Sequence, residues 1–169
     1  MSVLIFIAIV AIVGYLIFWV FVPLGRGALY DPSSPEQADL MAKFADVKEG
    51  VRCADLGSGD GRVVIALAKD GAEAHGYEVN PLLVLIARRN IRRAGVADRA
   101  FIHWRSFWGA DLTRFQVITI FQVDFIMSRL ERKALHELLP GSRIISHHWK
   151  FPTLEPESRR SDIYLYRIP

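Results

Sequence analysis

The sequence has a single cysteine, Cys53, so one chain cannot form a disulfide or a cysteine-rich metal centre, which suits a reducing compartment. Internal repeats and low-complexity tracts are also lacking, and 169 residues suit one domain with one hydrophobic core. Five arginines lie between Arg88 and Arg99, but no interleaved aromatic residues accompany them. We therefore expect neither a metal site nor a nucleic-acid partner.

Charged side chains are absent from residues 3–22, whose sequence is VLIFIAIVAIVGYLIFWVFV. As a helix, this run would be about 30 Å long, which matches the hydrocarbon core of a bilayer. A signal peptide fits less well, because no basic segment precedes the run and no small-residue cleavage pattern follows it. A buried core helix is the remaining alternative. We expect a single-pass transmembrane anchor that contacts the lipid bilayer.

The chain is therefore predicted to have three parts: the anchor at 3–22, a linker at 23–34 and a folded domain at 35–169. Arg26 follows the anchor directly, whereas only the α-amino group precedes it. The positive-inside rule therefore favours a domain on the cytoplasmic side of the membrane.

Strand and helix patterns alternate through the folded domain. Helical patterns lie near 35–46, 62–70, 81–94 and in FIMSRLERKALHELL, and they are separated by short apolar strands. The strands are VRCADL, EAHGYEV, AFIHW, QVITIFQV, the RIISHHW segment and DIYLYRI. This alternation predicts an α/β fold with a mostly parallel sheet of about six strands and helices on both faces. Ligands of such sheets bind beyond the carboxyl ends of the strands.

Three glycines, Gly57, Gly59 and Gly61, stand between the first strand and the following helix. Glycine permits a positive φ and lets a ligand approach the backbone, where the free N–H groups of the helix point at it. Dinucleotide sites prefer G-x-G-x-x-G, and the third glycine of that pattern is Arg62 here. A nicotinamide-dependent oxidoreductase is therefore the less favoured function. S-adenosylmethionine fits better.

Two acidic residues follow the first two strands. Asp55 suits the positively charged amino group of S-adenosylmethionine, directly or through water. Glu78 suits the two ribose hydroxyls, although dinucleotide sites use the same contact.

The segments ADLGSGDGR and GYEVNP resemble the first two motifs of class I S-adenosylmethionine-dependent methyltransferases. Together with DPSSPEQ and HHWKFP, they resemble the single-pass, membrane-anchored protein-lysine methyltransferases, whose mitochondrial members modify the adenine nucleotide translocase and the c-subunit of ATP synthase. The resemblance implies a Rossmann-like fold, S-adenosyl-L-methionine as cofactor and a membrane-associated protein substrate with an accessible lysine. The implied cofactor-binding residues are Asp55, Gly57, Ser58, Gly59, Asp60, Gly61, Glu78, Asn80 and Ser106.

Two segments depart from the family pattern. Ser106 stands where the family usually has an acidic residue for the adenine amino group, and QVDF at 122–125 replaces a Gly-Val-Pro-like segment. These departures keep a second hypothesis open, a non-catalytic module that binds S-adenosylmethionine and regulates a membrane partner.

A lysine nucleophile must lose its proton before it attacks a methyl group. The candidate bases are Asp124 and either His147 or His148, because adjacent strand residues face opposite sides. Asp124 has an alternative role as the cap of the following helix.

Overall fold

The computed structural model describes residues 2–26 and 34–169, with side chains described for 3–15 and 34–169. Its helices are α1 (Ser2–Arg26), α2 (Pro35–Ala45), α3 (Arg62–Lys69), α4 (Pro81–Arg93) and α5 (Asp124–Glu137). Its strands are β1 (Arg52–Leu56), β2 (Glu73–Glu78), β3 (Ala100–Trp104), β4 (Val117–Ile120), β5 (Arg143–His147), β6 (Ser158–Arg160) and β7 (Ile163–Arg167). Two short 3-10 helices, Phe107–Gly109 and Leu112–Arg114, join β3 to β4.

The strands form one sheet in the order β3-β2-β1-β4-β5-β7-β6. Strands β1 to β5 are parallel, whereas β7 is antiparallel to both β5 and β6. The predicted α/β architecture is confirmed, but the sheet has seven strands rather than about six. The missed strand, β6, consists of exposed serine and arginine residues at the sheet edge and therefore has no apolar pattern.

Hydrophobic cores cover both faces of the sheet. Met41 of α2, Leu67 of α3 and Val84 of α4 pack in one core, and Met127 and Leu130 of α5 pack in the other. Because β1 to β5 are parallel, their carboxyl ends meet at one edge, which we call the carboxyl edge. The connections that follow β1, β2 and β4 lead at this edge into α3, α4 and α5.

The start of α2 confirms the capping pattern of its sequence. Ser34 Oγ accepts a hydrogen bond from Gln37 N at 3.2 Å, and Gln37 Oε1 accepts one from Ser34 N at 2.7 Å. This reciprocal pair satisfies two of the free N–H groups at the helix start. Since α2 leads into β1 through a short connection, its N-terminus lies toward the carboxyl edge.

Helix α1 runs to Arg26, beyond the anchor boundary predicted at residue 22. Among the residues that the structure describes, no helix has both the length and the hydropathy required to cross a membrane. The described residues therefore do not support the transmembrane helix predicted at 3–22. The side chains of residues 16–22, and residues 27–33 of the predicted linker, lie outside the described residues.

Candidate active site

The glycine turn connects β1 to α3 at the carboxyl edge. Gly57 N and Ser58 N both donate to Tyr77 O at 3.0 Å, which holds the turn against β2. Gly57 has φ 95° and Gly61 has φ 84°. A Cβ on Gly57 would collide with Gln122 Nε2, and one on Gly61 would lie 3.0 Å from Ala87 Cβ. The turn thus requires glycine for its backbone conformation and for close packing.

Glu78, the last residue of β2, holds the other side of this turn. Its Oε2 accepts a hydrogen bond from Gly59 N at 2.9 Å, and its Oε1 accepts from Val79 N and Asn80 N at 2.8 Å each. The residue is 9% exposed. Three backbone donors therefore fix this carboxylate beside the glycine turn, at the position that the sequence predicts for a ribose contact.

Asp55 lies in β1 near the same edge of the sheet. The side chain is buried, and its Oδ1 accepts a hydrogen bond from Thr119 Oγ1 at 2.7 Å. Burial raises the pKa of Asp55 to about 7, the Thr119 hydrogen bond lowers it, and the carboxylates of Glu78 and Asp60 raise it further. Asp55 is thus a buried acid that a nearby positive charge would ionise.

The Asp55→Asn variant is expected to change how stability depends on pH. Since folding raises the pKa of Asp55 from 3.8 to about 7, its stabilising contribution is complete below about pH 4 and is lost as the pH rises through 7. Above pH 7 the variant is therefore expected to be more stable than the wild-type chain, by up to about 4 kcal/mol. Thermal unfolding from pH 4 to 8 measures this difference.

The control for this prediction is Asp98→Asn, because Asp98 is exposed. Its difference from the wild-type chain is expected to stay small throughout the range. An Asp55→Asn difference that does not grow with pH would contradict a raised pKa.

Two buried polar atoms beside the turn, Ser58 Oγ and Gln122 Oε1, have no hydrogen-bond partner among the described residues. Gln122 follows β4, and its Nε2 donates to Leu56 O at 2.6 Å. Most buried polar atoms in folded proteins are paired, so these two are available to bond to a ligand or to an ordered water. The sequence pattern places Gln122 in an atypical loop and gives no signal for its contact with Leu56.

Three other predicted cofactor residues already have local roles. Asp60 pairs with Arg62 at 2.6 Å, Asn80 Oδ1 accepts from Leu82 N at 2.9 Å at the start of α4, and Ser106 Oγ accepts from Trp108 N at 3.4 Å. A carboxylate, an amide and a hydroxyl each keep hydrogen-bonding capacity beyond these contacts. Their part in cofactor binding stays a prediction.

His147, at the carboxyl end of β5, is 3% exposed. Its Nε2 lies 3.1 Å from Asp162 Oδ2, and its buried Nδ1 has no partner in the described part of the chain. The Phe121 ring packs against the imidazole at 4.4 Å between centroids. Asp162, 15 residues away in sequence, was not predicted. The neighbouring His148 is exposed.

Asp124 is the first residue of α5 and is exposed, whereas the N-cap is Val123. The alternative that Asp124 caps this helix is therefore wrong. In the first helical turn a carboxylate favours the helix through its dipole. No group of three metal-ligating side chains occurs within the described residues.

Comparison with solved structures identifies the class of fold. The RNA methyltransferase from Salinibacter ruber, solved with S-adenosyl-L-homocysteine, superposes with a TM-score of 0.79 and is 33% identical, over 82% of this chain and 94% of that one. The chain thus has the Rossmann-like fold of S-adenosylmethionine-dependent methyltransferases.

The chain belongs to the family described as the ANTKMT methyltransferase domain, whose model matches residues 55–158. It is 36% identical over 128 residues to the lysine N-methyltransferase of Xenopus laevis that is named for the ATP synthase c-subunit, covering 76% of this chain and 56% of that protein. It is 32% identical over 149 residues to a protein-lysine N-methyltransferase of Saccharolobus islandicus (strain REY15A), covering 82% and 92%. The chain spans about half the length of the ATP synthase lysine methyltransferases that it matches.

Proposed function

We propose that this protein is an S-adenosylmethionine-dependent protein-lysine N-methyltransferase that acts on a membrane or membrane-proximal protein. The observation that carries the proposal is the glycine turn, where three backbone N–H groups fix the Glu78 carboxylate and two buried polar atoms, Ser58 Oγ and Gln122 Oε1, have no partner among the described residues. The lysine specificity is supported by the names of the relatives in Xenopus laevis and Saccharolobus islandicus.

The residues present fit S-adenosylmethionine. Glu78 would accept hydrogen bonds from the ribose hydroxyls, and Asp55 would face the amino group. Ser58 and Gln122 would pair with polar atoms of the methionine part, and Ser106 would bind the adenine. When bound, the cofactor supplies a methyl group on a positively charged sulfur, which is already activated for transfer.

The protein must then deliver a neutral amine. Asp162 Oδ2 accepts a hydrogen bond from the His147 Nε2–H at 3.1 Å, which leaves the lone pair on Nδ1 to accept a proton. His147 would in this way take the proton of the lysine ammonium group, directly or through water. Asp124, exposed at the start of α5, is the second candidate base.

Calorimetric titration of the full chain with S-adenosylmethionine, S-adenosylhomocysteine and NAD tests the cofactor assignment. We expect the first two to bind and NAD not to bind. The Gly59→Ala variant should weaken binding, whereas Gly95→Ala should not, although both glycines have positive φ values. Preference for NAD, or no binding by any of the three, would contradict the proposal.

Replacing Ser58 with alanine removes a buried hydroxyl that has no partner among the described residues. We expect the free energy of unfolding of the free protein to rise by about 1 kcal/mol. Cofactor binding is expected to weaken several-fold, because the ligand loses its hydrogen bond. Thermal unfolding and calorimetry measure the two effects, with the exposed Ser128→Ala as control. Equal losses in stability and binding would show that Ser58 has only a structural role.

We also propose that α1 anchors the chain in a bilayer as a single pass, with the enzymatic domain on the cytoplasmic side. The side chains of residues 3–15 support this, because they are exposed and almost all apolar. Extraction of source-cell membranes at alkaline pH tests the anchor, and protease treatment of sealed vesicles tests the side. Release into the soluble fraction would contradict the anchor.

A further inference from the structure

We propose that the outer face of α4, together with Trp104, docks the folded domain onto an anionic lipid surface. Three large apolar side chains, Leu82, Leu85 and Trp104, are 63%, 63% and 61% exposed; we call them the edge patch. The inference rests on the membrane location proposed above and adds to it a second, separate contact with lipid.

The edge patch lies at the carboxyl edge. Leu82 and Leu85 belong to the first turns of α4, which begins where β2 ends, and Trp104 is the last residue of β3. Trp104 Nε1 donates to Val79 O at 3.1 Å, which holds the indole beside the start of α4. The patch therefore lies at the edge that carries Glu78 and the glycine turn.

Arginines follow the apolar first turns of α4 along the helix. Arg88, Arg89, Arg92 and Arg93 are exposed, and the helix PLLVLIARRNIRR has no acidic residue. At about 5.4 Å per turn, these arginines lie one to two turns above Leu85. In a bilayer leaflet the acyl chains lie deeper than the anionic headgroups. The apolar first turns of α4 would therefore contact the acyl chains, and the arginines that follow them would contact the headgroups.

The chemistry of the edge patch favours lipid over nucleic acid. Leucine side chains offer no flat surface on which a base stacks, and two of the three patch residues are leucines. They gain free energy on leaving water in a bilayer, where the indole of Trp104 suits the interface.

The N-terminus of α2 also lies toward the carboxyl edge, so the chain that comes from α1 enters the domain at this side. Docking through the edge patch would turn the carboxyl edge toward the bilayer. The cofactor site would then accept a lysine close to the headgroup layer.

A fluorescent reporter on the full chain tests the proposal. Leu85→Cys is labelled with an environment-sensitive dye, and Leu139→Cys is the matched control, because Leu139 is 60% exposed but lies between α5 and β5 at the opposite edge. The native Cys53 is buried, and burial raises the pKa of its thiol to about 12, so it does not react with the dye. Vesicles contain phosphatidylcholine with or without phosphatidylserine, together with a quencher attached to the acyl chains.

We expect the quencher to act on the dye at position 85 and not on the dye at 139, and to act more strongly in anionic vesicles. The double change Arg89→Glu with Arg92→Glu should weaken the docking equilibrium at least on the order of tenfold. The charge-matched control, Arg114→Glu with Arg132→Glu, should leave it unchanged, since both residues are exposed away from α4.

Flotation of the vesicles distinguishes failure of the edge patch from failure of the membrane location. If the chain floats but the dye at position 85 is not quenched, the edge patch is wrong and the membrane location stands. If the chain does not float, both are wrong. A dye response to a mixed-sequence RNA without a response to anionic vesicles would assign the surface to nucleic acid and overturn the proposal. Equal quenching at 85 and 139 would overturn it as well.

Discussion

Replacing Glu78 with alanine is expected to weaken S-adenosylmethionine binding on the order of a hundredfold. The change removes the proposed ribose contact and also leaves the N–H groups of Gly59, Val79 and Asn80 without their acceptor. Hydrogen bonds to a charged group contribute about 1.5–3 kcal/mol each, so the loss of even one of the two ribose bonds, together with the turn geometry, accounts for an effect of this size. Calorimetric titration measures it directly.

Glu73→Ala is the matched control for Glu78→Ala, because Glu73 lies at the other end of β2. Its Oε1 contacts Arg52 and His75, at the opposite edge of the sheet from the glycine turn. The control is expected to bind the cofactor as the wild-type chain does. A Glu78→Ala affinity within a factor of about two of the wild-type value would show that Glu78 does not contact the ligand.

The His147→Gln variant is expected to lower kcat for methyl transfer on the order of a hundredfold, the usual contribution of a general base. Glutamine can still donate a hydrogen bond to Asp162 but cannot accept a proton near neutral pH. Cofactor affinity should stay within about twofold, because His147 makes none of the contacts of the glycine turn. Steady-state rates and calorimetry measure the two effects.

The dependence of the rate on pH distinguishes catalysis from packing for His147. A base role predicts that the acid limb of the profile is lost in His147→Gln, whereas a damaged core would lower the rate at every pH. His148→Asn is the control, because His148 is exposed at φ 72° and asparagine tolerates this conformation. An unchanged profile in His147→Gln would transfer the base role to Asp124.

Features that residues close together in the sequence form could be predicted from the sequence. The Ser34–Gln37 capping pair, the glycine turn and the helix start at Asn80 each involve residues within a few positions. The apolar pattern predicts the six strands that face a core. It does not predict β6, whose three residues are exposed and polar although they pair with β7.

The parts that depend on contacts between distant segments do not follow from the sequence. Gln122 reaches Leu56 across 66 positions, and Asp162 reaches His147 from the turn before β7. No local pattern indicates either contact, because each depends on how the strands are ordered in the sheet. The raised pKa of Asp55 likewise results from burial and from the carboxylates around it.

Methyl transfer to an identified residue tests the central claim most directly. The full chain is incubated with S-adenosylmethionine labelled in its methyl group and with membranes from the source cells, and the labelled acceptor is hydrolysed for amino-acid analysis. We predict methyl-lysine in a membrane protein, with the label lost in Glu78→Ala and kept in Glu73→Ala. Label in RNA or in another amino acid, or no transfer by a chain that binds the cofactor, would contradict the account.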